Sequence, residues 1–382
     1  MRRSEDRILT THVGSLVRPP YLLSANDDSL DDAGGANRDA KLKMAVTEVL
    51  EKQLATGLDI VNDGEFGKSG WASYALERLD GFEVRPNSPN PLDWLGRDRE
   101  RFADFFAEEI PNAFGSMQGE ACVGPISYTG LEALQDSLEL LREAADAAGH
   151  HDVFMTAVAP ASTAYNGINE YYKSEHDYVF AIADAMRHEY RAIHDAGFVV
   201  QVDDAVLANM YDSLVAQAPE KYRDWAQLRV DALNHALSDI PTETVRYHIC
   251  FGSWHVPHVA DAPLEALIDL IMQVDAQAYL IEAANVRHEH EWRVWEQTKL
   301  ADGKILVPGV VTHHTTTVEH PRLVADRIVR FANLVGRENV IAGTDCGFAQ
   351  SEWVRRAHPS VMWAKLEALV EGARIASAEL WR

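Results

Sequence analysis

The chain has 382 residues, 47% hydrophobic and 25% charged, an ordinary globular composition with length for one large domain or two small ones. Its 59 acidic against 35 basic residues leave a net charge of −24, which argues against a general nucleic-acid or anionic-membrane binder and reads as solubility. No apolar run reaches the about 18 residues of a membrane span, the start MRRSEDRILTT lacks an apolar signal core, and three scattered cysteines fit a reducing cytoplasm rather than a disulfide framework.

Apolar strand-like runs recur along the chain at 8–15, 57–65, 153–160, 198–204, 245–252, 278–285, 305–311 and 340–347, bounded by Gly, Pro and Asp. Between them lie helical patterns. Residues 38–56 carry spaced Leu, Met and Val, residues 177–195 open on Asp177, residues 320–335 follow Pro321, and a further helix is expected over 359–378. Strands alternating with helices imply parallel pairing through right-handed crossovers. Eight such units predict an α/β fold, a (β/α)8 TIM barrel. The barrel needs about 250 residues in its plain form, so the chain reads as a single catalytic barrel domain over 1–382 with an insertion at about 83–127. That insertion holds Pro86, Pro89 and Pro91, and residues 82–85 and 121–128 read as a hairpin-like excursion. An open doubly wound sheet is the alternative. No GxGxxG follows the first strand, which weakens its dinucleotide-binding form.

The ends of the strand candidates carry polar residues: Ser15, Glu65, Asp203, His248 with Cys250, Glu282, His314 just beyond, and Cys346. A barrel builds its active site at the C-terminal face of its strands, so these residues are expected to converge on one mouth. His248-Ile249-Cys250 places imidazole and thiol on one face of a strand, because side chains alternate. Such a mixed nitrogen and sulfur set favours zinc over magnesium or calcium. Alone, the pair fits a chance arrangement on a core strand equally well. Cys346 and Glu282, each ending another strand, strengthen the metal reading. Two thiolates and a carboxylate would leave Zn²⁺ with a net charge of about −1, and a thiol joining the metal would react as thiolate. Glu282, the hardest of the four ligands, is the one expected to loosen for it.

Glu65 in NDGEFG and Asp203 in QVDD read either as turn or cap chemistry or as carboxylates for a cationic substrate group. Ser15 in HVGSLVRP could hold an anion, and Arg18 could add charge there or lie on the surface. His313 and His314 read as an exposed loop pair or as the source of a general acid. His255, His258, His288 and His290 read as background, RHEHEW is not the H-E-x-x-H of a metalloprotease, and Cys122 reads as a buried apolar thiol.

The run of TTHVGSLVRP, DGEFG, VQVDDAVL, HIC, IEAAN, PGVVTHH and AGTDCGF resembles the catalytic barrel of the cobalamin-independent methionine synthase family over nearly the whole chain. The resemblance implies a zinc site of His248, Cys250, Glu282 and Cys346. It also implies amino-acid binding by Ser15, Glu65 and Asp203, and proton transfer by His314. Two features depart from it. Full-length members carry a second barrel with no counterpart here, and APASTAYNG offers Tyr165 but no tryptophan where the family stacks its pteridine, which argues against folate as methyl donor.

The expectation is therefore a zinc-dependent, cytoplasmic transferase moving a methyl or other alkyl group from an alkyl donor to a small-molecule thiol, homocysteine first. A homo-oligomer is compatible with it. The resemblance equally covers epoxyalkane:coenzyme M transferases, which open an epoxide with a zinc-bound thiol. A zinc-binding protein without turnover is the third alternative.

Overall fold

Short buried runs rich in Val, Ile and Ala form strands covered on both faces, as a parallel sheet beneath helices requires. The computed structural model describes residues 1–23, 32–85, 96–109, 119–252 and 254–382. Its strands in chain order are β1 (Leu9–Thr10), β2 (Leu79–Arg85), β3 (Gly119–Tyr128), β4 (Phe154–Val158), β5 (Gly167–Asn169), β6 (Val199–Asp204), β7 (Val245–Ile249), β8 (Ala278–Ile281), β9 (Ile305–Val311) and β10 (Ile341–Thr344).

Seven of them form one parallel sheet in the order β1-β10-β9-β8-β7-β6-β4. Parallel bridges Thr11–Ile60 and Val61–Val153 then close the ring. The result is the expected eight-stranded α/β barrel, with a second strand that is only two bridging residues instead of 57–65. A side chain explains the shortening. Gln53 donates from Nε2 to the Asn62 carbonyl at 2.7 Å and accepts from the Asn62 N–H at 3.1 Å, so an amide takes the place of the next ladder rung. β1, β4, β7, β8 and β10 also end earlier than expected, because their last residues turn into the loops that carry the polar groups, whereas β6 and β9 end where expected.

The excursion is a second, small sheet. β2 pairs antiparallel with β3, from Leu79 opposite Tyr128 to Arg85 opposite Gly119, and β5 adds to β3 in parallel. Residues 86–95 and 110–118, with Pro86, Pro89 and Pro91, lie outside the described residues.

The four expected helices are Asp32–Thr56, Glu175–Asp195, Pro321–Val335 and Pro359–Leu380. Ser174 caps the second by accepting from the Asp177 N–H, and Pro321 opens the third. Leu131–Ala148, Val206–Gln217, Pro219–Leu237 and Leu264–Ile271 are further helices beyond those the sequence predicts. No helix among the described residues is long and apolar enough to cross a membrane.

Inside the barrel the layers differ in chemistry. Leu9, Ile60, Phe154, Leu280, Val307 and Ile341 fill an apolar layer drawn from most of the ring. Beside it Arg246 is wholly buried. Its guanidinium lies 3.6 Å from the centre of the Phe154 ring, and it donates to Gln201 Oε1 at 2.6 Å and the His12 carbonyl at 2.6 Å. Gln201 passes the order on, donating from Nε2 to Asp203 Oδ1 at 2.7 Å. A buried cation without such partners costs several kcal/mol, about 3–5 when one partner of a pair is removed. The polar layer therefore fixes Asp203 at the rim.

Candidate metal centre

His248 lies in β7 and Cys250 follows the strand directly, and both line one cavity. The parallel register sets Asp203 of β6 opposite His248, and His248 opposite Leu280 of β8. Cys346 follows the last strand and closes the circle. Ligand atoms of His248, Cys250 and Cys346 lie within 4.8 Å of one another, and all three residues are buried. The two Sγ atoms are 3.4 Å apart, and both thiols are free.

The electrostatics of the pair are lopsided. The contact with Cys250 pulls the Cys346 pKa well down against its burial, with His248 helping. The same contact, with burial, pushes Cys250 well up. Burial acts to lower the His248 pKa, but Cys346 and Asp203 outweigh it and the net shift is upward. Among the described residues, neither ring nitrogen of His248 has a hydrogen-bond partner although both are buried. A buried imidazole between two thiols, unsatisfied by the protein, is a donor set that suits zinc. His248, Cys250 and Cys346 would hold it.

Glu282 stands behind this triad. Its Oε1 accepts from the Phe251 N–H at 3.0 Å and its Oε2 from Asn285 Nδ2 at 2.8 Å. Burial, then Asp345 and Cys346, push its pKa well up. Asp345 fixes the loop that carries it, accepting from the Ala283 and Ala284 N–H groups, each at 2.8 Å.

Ser15, Glu65 and Asp203 line the same cavity as His248, Cys250 and Cys346, walled by Trp71 and Trp254. Glu65 sits in left-handed backbone, φ 62°, which is uncommon outside glycine and marks a constrained position. Its Oε1 accepts from Thr156 Oγ1 at 2.6 Å, and Lys68 Nζ holds Thr156 Oγ1 at 2.6 Å. Burial pushes the Asp203 carboxyl up, with Glu65 adding to the rise and His248 opposing it. Glu65 thus lines the cavity as well as occupying the turn. The neighbouring Asp204 is the structural one: it holds Tyr247 Oη and the Leu207 N–H at the start of the helix Val206–Gln217.

Two expectations need correction. The Ser15 hydroxyl donates to the Ala349 carbonyl, so its proton is already engaged. Arg18 is buried, and its Nη2 donates to the carbonyls of Glu65 (2.7 Å) and Lys68 (2.6 Å). It secures the loop and is not a surface residue. Cys122 is the buried thiol expected.

His314 faces a second cavity that Glu282 also lines. His313 is wholly buried, so the two are not an exposed loop pair. Burial, then His258 and His255, lower the His314 pKa to about 3, which leaves the ring neutral near pH 7. The histidines read as background surround it: His258 at 5.2 Å between ring centres and His255 at 6.1 Å. His288 joins them through Asp261, at 3.0 Å. Sequence spacing carries no signal for these residues or for Trp71, Trp254, Thr156 and Arg356, because they come from β4 and from several loops that meet only in the fold.

Residues 119–370 match the family model for the catalytic domain of cobalamin-independent synthase. The chain is 26% identical over 400 residues to the uncharacterized protein YxjG of Bacillus subtilis, covering 100% of this chain and 97% of that protein. It is 23% identical over 385 residues to a methionine synthase of Saccharolobus islandicus, covering 98% and 96%. Among solved structures it superposes on a B12-independent methionine synthase from Shewanella sp. W3-18-1 with a TM-score of 0.73 at 19% identity, covering 98% and 99%, a likeness of fold. With its matched region running from the small sheet through the Cys346 loop, the chain belongs to the cobalamin-independent synthase family.

Proposed function

We propose that this protein transfers a methyl group to the sulfur of homocysteine, in the cytoplasm, as a single catalytic barrel with zinc as its resident metal. One observation carries the reading: the buried His248, Cys250 and Cys346 triad shares a cavity with the carboxylates Glu65 and Asp203. The name methionine synthase borne by the archaeal relatives supports it. When bound, zinc lowers the pKa of a thiol and keeps the sulfur nucleophilic as thiolate.

The chain's own groups do the rest. Glu65 and Asp203, held by Thr156 and Gln201, bind the ammonium end of the amino acid. Ser15, on the wall of the same cavity, lies at its carboxylate end. Trp71 and Trp254 exclude water. The new S–C bond forms as the methyl carbon leaves its donor atom, and the thiol proton ends on that leaving atom. His314, neutral at working pH, can pass the proton without changing charge, one ring nitrogen accepting while the other donates. Glu282 is the fourth ligand that stands aside. A closed structural site would have four ligands assembled, so three converging groups with a withheld carboxylate favour an enzyme over a zinc scaffold.

The test combines metal analysis with X-ray absorption and product detection. The purified chain is expected to hold one zinc, to gain a sulfur neighbour on addition of homocysteine, and to form methionine from a labelled methyl donor. Absence of stoichiometric zinc, or full activity in Cys346→Ser, would sink the reading.

A further inference from the structure

The loop that brings Glu65 to the cavity also carries a cation. Lys68 is buried, and its backbone N–H donates to the Glu65 carbonyl at 3.2 Å. Its Nζ donates to the Thr156 carbonyl and to Thr156 Oγ1, each at 2.6 Å, and sits 4.4 Å from the centre of the Tyr74 ring. Burying an ammonium is costly unless it is paired. Here the pairing is indirect, because among the described residues both hydrogen-bond acceptors are neutral atoms of Thr156.

An ammonium only donates, so Thr156 Oγ1 must accept from Lys68, and its own proton is left to point elsewhere. That proton goes to Glu65 Oε1 at 2.6 Å. Thr156 is wholly buried in the middle of β4, so its position does not depend on a loop. Tyr74 is locked in turn. Its Oη donates to Glu189 Oε1 at 2.7 Å and accepts from the Val158 N–H at 3.1 Å. The contacts therefore run from Tyr74 through Lys68 and Thr156 to a carboxylate on the cavity wall. Charge reaches along the same line: burial raises the Asp63 and Asp203 carboxyls, and Lys68 is among the groups that oppose the rise in both.

We propose that Lys68 is a positioning residue for amine recognition: through Thr156 it fixes one oxygen of Glu65 and leaves the other to take the ammonium group of the substrate. A lysine paired directly with Glu65 would compete with that ammonium for the same oxygens. One hydroxyl set between them keeps the carboxylate anchored and still open. The consequence is selection of a thiol that bears an amino group over one that lacks it. The identity of that thiol rests on the proposed function; the relay from Lys68 to Glu65 does not.

Zinc-loaded full-length chain is compared with Lys68→Met, Lys68→Arg, Thr156→Val and Thr156→Ser by calorimetry and steady-state kinetics. The probes are homocysteine, 4-mercaptobutyrate, which keeps the thiol and carboxylate but lacks the amino group, and 2-aminobutyrate, which keeps the amino acid but lacks the thiol. Lys68→Met and Thr156→Val are expected to weaken homocysteine and 2-aminobutyrate by about tenfold, the scale of one hydrogen bond, with the loss in KM and not in kcat. Binding of 4-mercaptobutyrate and the zinc content are expected to stay as in the wild type. Lys68→Arg keeps the charge and Thr156→Ser keeps the hydroxyl, so each should recover part of the loss. Lys68→Met should add little to Glu65→Gln, because both act on one contact. If Lys68→Met does not fold, Thr156→Val, which keeps the side-chain shape, decides. Equal weakening of homocysteine and 4-mercaptobutyrate, loss of zinc, or additive losses in the double variant would make Lys68 a merely structural lysine and overturn the proposal, as would unchanged binding of both amines. Binding of 2-aminobutyrate that depends on Lys68, without methionine formation, would overturn the proposed function and leave the relay standing.

Discussion

Cys250 Sγ and Cys346 Sγ stand 3.4 Å apart although 96 residues separate them in sequence. That is beyond the about 2 Å of a disulfide and close enough for one proton to serve both. Two thiols this close, beside a buried imidazole, are poised for a cation. The protein is expected to bind one cobalt(II) with intense sulfur charge-transfer absorption. Cys250→Ser or Cys346→Ser should weaken metal binding by more than about a hundredfold, above the range for changes behind the ligands. Glu282→Gln should cost less, about tenfold, since its carboxylate is held by Phe251 and Asn285.

Glu65 and Asp203 should set KM for an amino-acid thiol. Glu65→Gln or Asp203→Asn removes one charged hydrogen bond, about 1.5–3 kcal/mol, so KM for homocysteine should rise by roughly ten- to a hundredfold. Binding of 2-mercaptoethanol, which lacks the amino group, should move little. Parallel losses for both thiols would assign these carboxylates to the metal centre instead of the substrate.

His288 should make stability depend on pH at the alkaline side. Burial acts to lower its pKa, but hydrogen bonds to Asp261 and Glu291 win and hold it at about 10 against an ordinary 6.5. Below pH 6.5 folded and unfolded chains both carry the proton and the contribution is complete. Between 6.5 and about 10 the unfolded chain loses its proton first, so the contribution fades, and above that it is gone. The melting temperature should therefore fall more steeply from pH 6.5 to 10 in the wild type than in His288→Gln. Equal slopes would show that the network carries no net proton linkage.

Gly14 is required by the pocket. At φ +138° a Cβ there would meet Thr156 Cγ2 at 2.6 Å and Glu65 Oε1 at 3.3 Å. Gly14→Ala should displace the Thr156–Glu65 hydrogen bond, cost about 1–3 kcal/mol as overpacking does, and raise KM for homocysteine. Chemical denaturation and initial rates measure the two effects.

Much of this was legible in the chain. Alternation alone put His248 and Cys250 on one face, and the strand ends named Glu65, Asp203 and Cys346. What escaped is whatever tertiary contact decides. The second strand reads as nine residues, yet the Gln53 amide replaces its ladder after Val61. Ser15 looks like a free donor until Ala349 is set beside it. Arg356 and Trp254 carry no period or motif and meet only because the loops after β7 and β10 share one rim.

The two-residue second strand has a consequence for motion. Ile60 donates to the Thr10 carbonyl at 3.1 Å and Val61 to the Asp152 carbonyl at 3.1 Å, and few other rungs close the ring there. A cylinder latched so briefly breathes at its latch first, because local opening follows the fewest backbone bonds. Glu65 lies just beyond that latch, so a substrate clasped by Glu65 would tighten the closure from above. Amide exchange at Ile60 and Val61 is expected to be faster than along β6 and β7 in the free protein and to slow when homocysteine binds.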